Sequence, residues 1–222
     1  MANIRSKYEE IRNSIPADVT LVAATKDRTV EEITEAIDAG VEIVGENYVQ
    51  EAVSKYKGIG NRVKWHMIGH LQRNKVRDAV RIFECIQSVD SPRLADEINK
   101  QCAKLGKVMP VLIEVNVAGE ESKSGIKPDE TLDMLRYITA LPNLRAAGLM
   151  AMEPYSDNPE DSRQYFRRMK QLFDEMRAHN IPSADLKILS MGMSNSYKVA
   201  IEEGSNMVRI GTGLFGPRSA KF

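Results

Sequence analysis

Short apolar runs alternate with amphipathic segments along the whole chain. The first run, Val19–Lys26 (VTLVAATK), is rich in β-branched residues and lies between Asp18 and Asp27, which predicts a buried strand. Seven similar runs follow, so that the eight predicted strands are Val19–Lys26, Glu42–Asn47, Lys64–Gly69, Cys85–Val89, Val108–Val117, Leu144–Met152, Leu186–Met191 and Met207–Phe215.

Helical spacing of apolar residues predicts a helix before the first strand and one after each of the first seven strands. Thr29 and Glu32 form a capping-box pattern at the start of one helix, and Gly40 ends it. The predicted helices are Asn3–Ser14, Thr29–Gly40, Tyr48–Tyr56, Gln72–Ile82, Ser91–Gly106, Pro128–Leu141, Asn158–Asn180 and Tyr197–Glu203.

Strict alternation of strand and helix is typical of a parallel sheet. Eight such units in 222 residues predict an α/β fold, a TIM-like (β/α)8 barrel with an extra N-terminal helix, in a single domain spanning residues 1–222. An open doubly wound sheet is the alternative. No Gly-x-Gly-x-x-Gly follows the first strand, which disfavours that alternative.

Charge and composition narrow the range of partners. Lys plus Arg and Asp plus Glu are both 31, so the chain lacks the basic surface expected of a nucleic-acid-binding or membrane-surface protein. No run approaches the roughly 20 apolar residues that span a bilayer, and the first ten residues lack a signal-peptide core. Cys85 and Cys102 have neither metal nor disulfide spacing, so we expect a reducing, cytoplasmic compartment.

Polar residues recur where the predicted strands end, and in this fold the active site lies at the C-terminal ends of the strands. Lys26 would share a face with Val22 and Ala24, which places its amine at the rim of the core as a possible Schiff-base nucleophile. Taken alone, a lysine at this position is more often a solvated residue that closes a strand. The strand-end residues are Lys26, Asn47, His70, Asn116, Met150, Ser190 and Arg209.

The last two strand ends predict a phosphate site. Barrels often bind phosphate between the loops after strands seven and eight, with glycine amides and a helix N-terminus. Here Ser194 is the expected N-cap of the following helix, and Gly211 and Thr212 follow Arg209 on or just after the eighth strand. A lysine on strand one together with a phosphate site suggests a phosphorylated carbonyl compound, and pyridoxal 5′-phosphate (PLP) fits that description.

Several segments together resemble one family. They are Ala24–Lys26 (ATK), Gly45–Glu51 (GENYVQE), Trp65–Gln72 (WHMIGHLQ), Asn74–Lys75 (NK), Leu189–Ser194 (LSMGMS) and Val208–Gly211 (VRIG). The chain closely resembles the pyridoxal phosphate homeostasis (YggS/PROSC) family over nearly its whole length. The resemblance implies the fold of the alanine racemase N-terminal domain (PLP fold type III), a Schiff base of PLP on Lys26, and no established catalytic turnover. Asn195 stands where many members carry an acidic residue.

The resemblance also implies roles for single residues. Arg209 would meet the pyridine nitrogen of PLP, the alternative being a structural pair with a carboxylate, and Asn47 would position the ring or the lysine unless it is a turn residue. The candidate cofactor-binding residues are Lys26, Asn47, Met150, Ser190, Ser194, Arg209, Gly211 and Thr212. His66 and His70 would share a strand face but lack a third metal ligand, so we expect no metal site. Glu120, Lys123 and Gly125 match the family's loop pattern, and we expect a solvated charged loop there.

Three functions are compatible with these features. The first is a non-catalytic PLP-binding protein of intracellular PLP homeostasis, expected to be a monomer, with amino acids or PLP-dependent apo-enzymes as further candidate partners. The second is an amino-acid racemase, which needs two opposed bases. In alanine racemases the second base is a tyrosine supplied through a C-terminal β domain, and the sequence ends seven residues after Phe215, which favours binding. The third, a Schiff-base aldolase, usually carries its lysine on a later strand.

Overall fold

Eight parallel strands close into a barrel in the computed structural model of the chain, which describes residues 4–120 and 123–217. Each strand pairs with its neighbours in sequence, and the eighth pairs with the first, where Val22 lies opposite Arg209. The structure therefore confirms the predicted closed barrel and rules out the open doubly wound sheet. The strands are β1 Thr20–Ala24, β2 Ile43–Glu46, β3 Lys64–Met67, β4 Cys85–Val89, β5 Met109–Val115, β6 Leu144–Ala151, β7 Ile188–Ser190 and β8 Met207–Ile210.

Helices surround the barrel, and the extra N-terminal helix is present. The α-helices are α1 Ile4–Asn13, α2 Val30–Ala39, α3 Val49–Ile59, α4 Val76–Ile82, α5 Pro92–Ala103, α6 Thr131–Thr139, α7 Arg163–Ala178, α8 Tyr197–Glu202 and α9 Thr212–Phe215. Short 3₁₀ turns replace the first residues of three predicted helices, at Arg73–Lys75, Pro128–Glu130 and Pro159–Ser162.

Alternation along the strands divides the core into two parts. Leu21 and Ala23 of β1 belong to the large cluster between the strands and the helices. Val22 faces the other way and packs with Ile43, Ile68 and Met207 inside the barrel. The two faces of β1 are therefore those that its sequence pattern predicts.

The predicted end of the eighth strand is wrong. The strand ends at Ile210, and residues Thr212–Phe215 form α9 instead of continuing it. Leu214 and Phe215 are buried in the cluster between strands and helices, so their hydrophobicity is satisfied in a helical turn. An apolar run of this length does not distinguish a strand from a buried helix by its pattern alone.

The predicted end of the first strand is also too late. β1 ends at Ala24, and Lys26 lies in the turn that follows, where Asp27 has a positive φ of 60°. The backbone nitrogen of Thr25 donates a last hydrogen bond to the Gly45 carbonyl, at 2.9 Å, before the chain turns away. Lys26 is therefore half-buried in a loop and does not alternate with Val22 and Ala24 as part of the strand.

Two kinds of feature are absent from residues 4–120 and 123–217. No helix there is long and apolar enough to cross a membrane. No group of three or more His, Cys, Asp or Glu side chains in the same ranges is placed to hold a metal ion. Cys85 and Cys102 are both buried and free.

Candidate functional site

A cavity of about 360 Å³ opens at the C-terminal end of the barrel, beside the ends of β1, β6 and β8. Its size suits a small-molecule ligand. Five of the residues predicted from the sequence line this cavity, and they are Asn47, Ser194, Arg209, Gly211 and Thr212. The sequence therefore identified the end of the barrel at which this cavity opens, and four of the ten polar side chains that line it.

Two backbone amides converge on one oxygen at this cavity. The nitrogens of Gly211 and Gly213 each donate to Ser194 Oγ, and both distances are 3.1 Å. Ser194 thus reaches the first turn of α9, and the predicted role as N-cap of α8 is wrong, because Ser196 occupies that position. A Cβ on Gly213 would come within 3.5 Å of Ser194 Oγ and 3.1 Å of Ile210 Cγ2, so the absence of a side chain keeps this corner open.

Arg209 is anchored by neutral oxygen acceptors. It is 4% exposed, and its guanidinium donates to Ser190 Oγ at 2.6 Å and to the Ala151 carbonyl at 2.8 Å. Burial lowers the pKa of Arg209, while the charges of Glu153 and Glu114 oppose that shift. Within the described ranges no carboxylate lies close enough to Arg209 to form a salt bridge, which argues against the structural ion-pair alternative.

A chain of hydrogen bonds continues from Arg209 across the inside of the barrel. Ser190 Oγ donates to Gln87 Oε1 at 2.7 Å, and Gln87 Nε2 lies 2.9 Å from His66 Nδ1. Burial lowers the pKa of His66 to about 4, so its ring is neutral and Nδ1 accepts from the amide. His66 is therefore a structural residue. His70 does not share its strand face, because β3 ends at Met67 and His70 is exposed.

The loop that carries Lys26 is held on both sides. Lys55 Nζ donates to the Thr25 carbonyl at 2.7 Å and to Glu46 Oε1 at 2.7 Å, and it pairs with Glu51 at 3.0 Å. Glu51 in turn accepts from the backbone nitrogen of Asp27 at 3.1 Å. The backbone before and after Lys26 is thereby tied to β2 and α3, although Lys26 itself belongs to neither element.

The Lys26 side chain lies against an aromatic ring. Its Nζ is 5.2 Å from the centroid of Tyr48, and within the described residues it makes no hydrogen bond or salt bridge. Lys26 does not line the 360 Å³ cavity, whereas Ala24, two residues earlier, does. To enter the cavity, the amine would have to move from Tyr48 toward Ala24, and this movement would break the cation–π contact with Tyr48.

Two predicted residues lie below the cavity and do not line it. Ser190 is fully buried and engaged with Arg209 and Gln87, while Met150 packs against Leu112 inside the barrel. Both can support the site, but neither faces the open volume.

Sequence reasoning missed Glu153, Ser196 and Tyr155, which line the cavity from the loops after β6 and β7. Ser196 donates a short hydrogen bond to Glu153, a contact between residues 43 positions apart. Asn195, the departure from the family pattern, donates to the Ser156 carbonyl at 3.1 Å and joins the same two loops. No local signal marks these residues, because the loops meet only in the folded barrel.

Comparison with known proteins places the chain in a family. The family model described as "Alanine racemase, N-terminal domain" matches residues 1–219. A pyridoxal phosphate homeostasis protein of Aquifex aeolicus is 46% identical over 200 residues, which cover 89% of this chain and 86% of that protein. The chain belongs to the pyridoxal phosphate homeostasis protein family.

Solved structures agree with this membership. PipY of Synechococcus elongatus, solved with PLP bound, superposes with a TM-score of 0.88 at 31% identity, over 96% of this chain and all of that one. An alanine racemase of Clostridium difficile superposes with a TM-score of 0.79 at 17% identity and shares the fold alone. This chain spans 58% of that racemase's length. Membership in the family therefore confirms the resemblance on which the cofactor prediction rests.

Proposed function

We propose that the chain binds PLP in the 360 Å³ cavity and acts in PLP homeostasis, as its relatives are named. The observation that carries the proposal is the convergence of the Gly211 and Gly213 amides on a single oxygen, in a cavity that also contains the buried Arg209 guanidinium. Ser194 Oγ demonstrates that an acceptor oxygen fits between the amides, and a phosphate oxygen is an acceptor of the same kind. The names of relatives at 36–46% identity support the same cofactor.

Each residue would have a separate task in holding the cofactor. PLP supplies two functional groups, an aldehyde and a phosphate. The aldehyde condenses with a primary amine with loss of water. Lys26 would supply the amine, while Ser194, Gly211 and Thr212 would bind the phosphate. Asn47 lines the cavity and its side chain makes no hydrogen bond within the described residues, so its amide is available to the ligand.

Arg209 would lie against the ring nitrogen. Two atoms of the guanidinium are engaged with Ser190 and Ala151, and the group carries five N–H donors, so some remain for a ligand. An arginine cannot readily give up a proton at neutral pH. The nitrogen would therefore accept a hydrogen bond without being protonated, which makes the ring a poor electron sink.

We further propose that the protein does not turn over amino acids. Racemisation needs a second base opposite Lys26. Tyr155 is the one tyrosine that lines the cavity in the described part of the chain; it is 84% exposed, and its hydroxyl donates to Asp157 at 2.7 Å. That hydrogen bond raises the pKa of Tyr155, which makes the phenol a weaker source of phenolate at neutral pH. We also propose a reducing, cytoplasmic compartment, because both cysteines are free and buried.

Borohydride reduction of the PLP-loaded protein tests the binding site. We expect one stable adduct, located on Lys26 by peptide mass spectrometry, and none on Lys26→Ala. Lys75→Ala is the matched control, because Lys75 lies in the 3₁₀ turn before α4 and does not line the cavity. An adduct on Lys75 or Lys123 in the unmodified chain would contradict the assignment.

Incubation with L-alanine in deuterated water, followed by NMR, tests the absence of turnover. We expect no accumulation of D-alanine, since a missing base costs on the order of 10²–10⁴ in rate. Rapid loss of the α-proton signal together with D-alanine would instead establish the racemase. Slow exchange without D-alanine agrees with a binding protein.

A further inference from the structure

A second cavity of about 230 Å³ lies beside the first at the same end of the barrel. Asn47, Ile68 and Met152 line both cavities, so the two volumes are neighbours. The second is also lined by Glu114 at the end of β5 and by Asn116 just beyond it.

Two buried oxygens in this cavity lack a donor. Glu114 is 6% exposed, and neither its Oε2 nor Asn116 Oδ1 has a hydrogen-bond partner among the residues that the structure describes. The Asn116 amide nitrogen is occupied, because it donates to the Glu120 carbonyl at 2.8 Å. An unpaired buried acceptor is costly, and two such oxygens on residues that line one cavity call for a ligand with several N–H donors.

A positive charge lies at the same cavity. Lys123 is half-buried, and its Nζ donates to the Glu153 carbonyl at 3.2 Å and pairs with Glu120 at 3.0 Å. An ammonium has three donors, so one remains for a ligand. The expectation of a solvated charged loop holds only in part for Lys123, because its side chain is half-buried and its Nζ contacts the loop after β6.

We propose that the second cavity binds a free α-amino acid, with its ammonium on Glu114 and Asn116 and its carboxylate on Lys123. The two acceptors match the N–H donors of an ammonium, and the lysine matches an anion at the other end of the same small molecule. The proposal rests on the proposed function only in placing PLP in the neighbouring cavity, where it would meet the amino acid.

The charge state of Glu114 makes the binding of such a ligand depend on pH. Burial raises the pKa of Glu114 to about 7; Asp90 adds to the shift and Arg209 opposes it. His70, which pairs with Asp90 at 3.3 Å, and Lys123 also line the cavity. A bound ammonium would favour the ionised carboxylate, so we expect amino-acid affinity to rise from pH 6 to pH 8 and this rise to be smaller in Glu114→Gln.

Calorimetric titration with glycine and L-alanine tests the site. It is run on PLP-free protein and on borohydride-reduced protein, in which no aldehyde remains to react with the amine. Methylamine and acetate each lack one charged end and should bind at least tenfold more weakly. Glu114→Gln should weaken amino-acid binding about 10- to 100-fold, the loss expected for a hydrogen bond to a charged group. Glu42→Gln, at the opposite end of the barrel, removes the same charge and should change nothing.

Several outcomes of these titrations decide whether the second cavity binds an amino acid. If Glu114→Gln does not fold, which a thermal melt shows, Lys123→Met provides the second variant and should weaken binding of the carboxylate end. Absence of saturable binding to both forms of the protein, as expected of a cavity filled by water only, overturns the proposal. So does affinity that neither variant changes. Failure of the borohydride adduct on Lys26 would overturn the PLP site while the titration of PLP-free protein still reports on this cavity.

Discussion

Replacing Lys55 with methionine should destabilise the protein and loosen the loop that carries Lys26. The Lys55 side chain is 9% exposed and its partner Glu46 is 0% exposed. Burial raises the pKa of Glu46, and Lys55 is the main influence that opposes the rise. In Lys55→Met the carboxylate keeps the Thr25 hydroxyl, 2.6 Å away, as its remaining donor.

The magnitude follows from the burial of this pair. Removing one partner of a buried ion pair costs about 3–5 kcal/mol, because the other charge stays buried without compensation. For a chain of this size each kcal/mol lowers Tm by about 2–4 °C, so the expected drop is about 6–20 °C at pH 7. Since the Glu46 pKa is raised in the folded state, protonation relieves the unpaired charge, and the drop should shrink as the pH falls toward 5.

Thermal unfolding followed by circular dichroism measures the effect. Lys187→Met is the matched control, because Lys187 pairs with Asp185 on the surface at 77% side-chain exposure and should cost less than about 1 kcal/mol. The double variant Lys55→Met/Glu46→Gln should recover much of the loss. The yield of borohydride adduct on Lys26 at limiting PLP should fall in parallel. A drop in Tm no larger than that of Lys187→Met would refute this reasoning.

Three further predictions concern other parts of the site. Gly213→Val should weaken PLP retention at least tenfold, as measured by fluorescence titration. Gly211→Ala should retain the fold and lose less PLP affinity, because its Cβ would meet only Ala24 atoms at 3.4 and 3.5 Å. Equal losses of PLP affinity in the two variants would contradict this difference. Glu114→Gln should raise the free energy of unfolding above pH 7 by up to about 3 kcal/mol and give no gain below pH 5. The reason is that the pKa of Glu114 is raised to about 7 in the folded state, so the wild-type protein loses stability as the pH rises from 5 to 7. Urea titrations of both proteins at pH 5 and pH 8 measure the difference. His66 has a pKa lowered to about 4 in the folded state, so the stability it contributes above pH 6.5 is lost as the pH falls toward 4. In His66→Gln, the free energy of unfolding measured by urea titration should therefore change less between pH 6.5 and pH 4.

Much of the fold is determined by neighbours along the chain. The capping box at Thr29 is present as predicted, with Thr29 N donating to Glu32 Oε2 at 2.8 Å and Glu32 N to Thr29 Oγ1 at 3.2 Å. Gly40 ends the same helix with a φ of 120°. These contacts span three or four residues, and hydrophobic periodicity spans one element. The order of strands and helices could therefore be predicted from sequence.

The site depends on contacts that only the closed barrel creates. Ser194 meets amides 17 and 19 residues away, and Ser190 meets Gln87 across 103 residues. Glu114 and Asn116 share a cavity with Lys123 because the loop after β5 folds back, with Ile126 bridging to Val115. Periodicity predicts which face a side chain occupies, but the sequence carries no local record of which distant donor meets which acceptor. Those pairings, and the oxygens left without one, are decided when the eighth strand closes against the first.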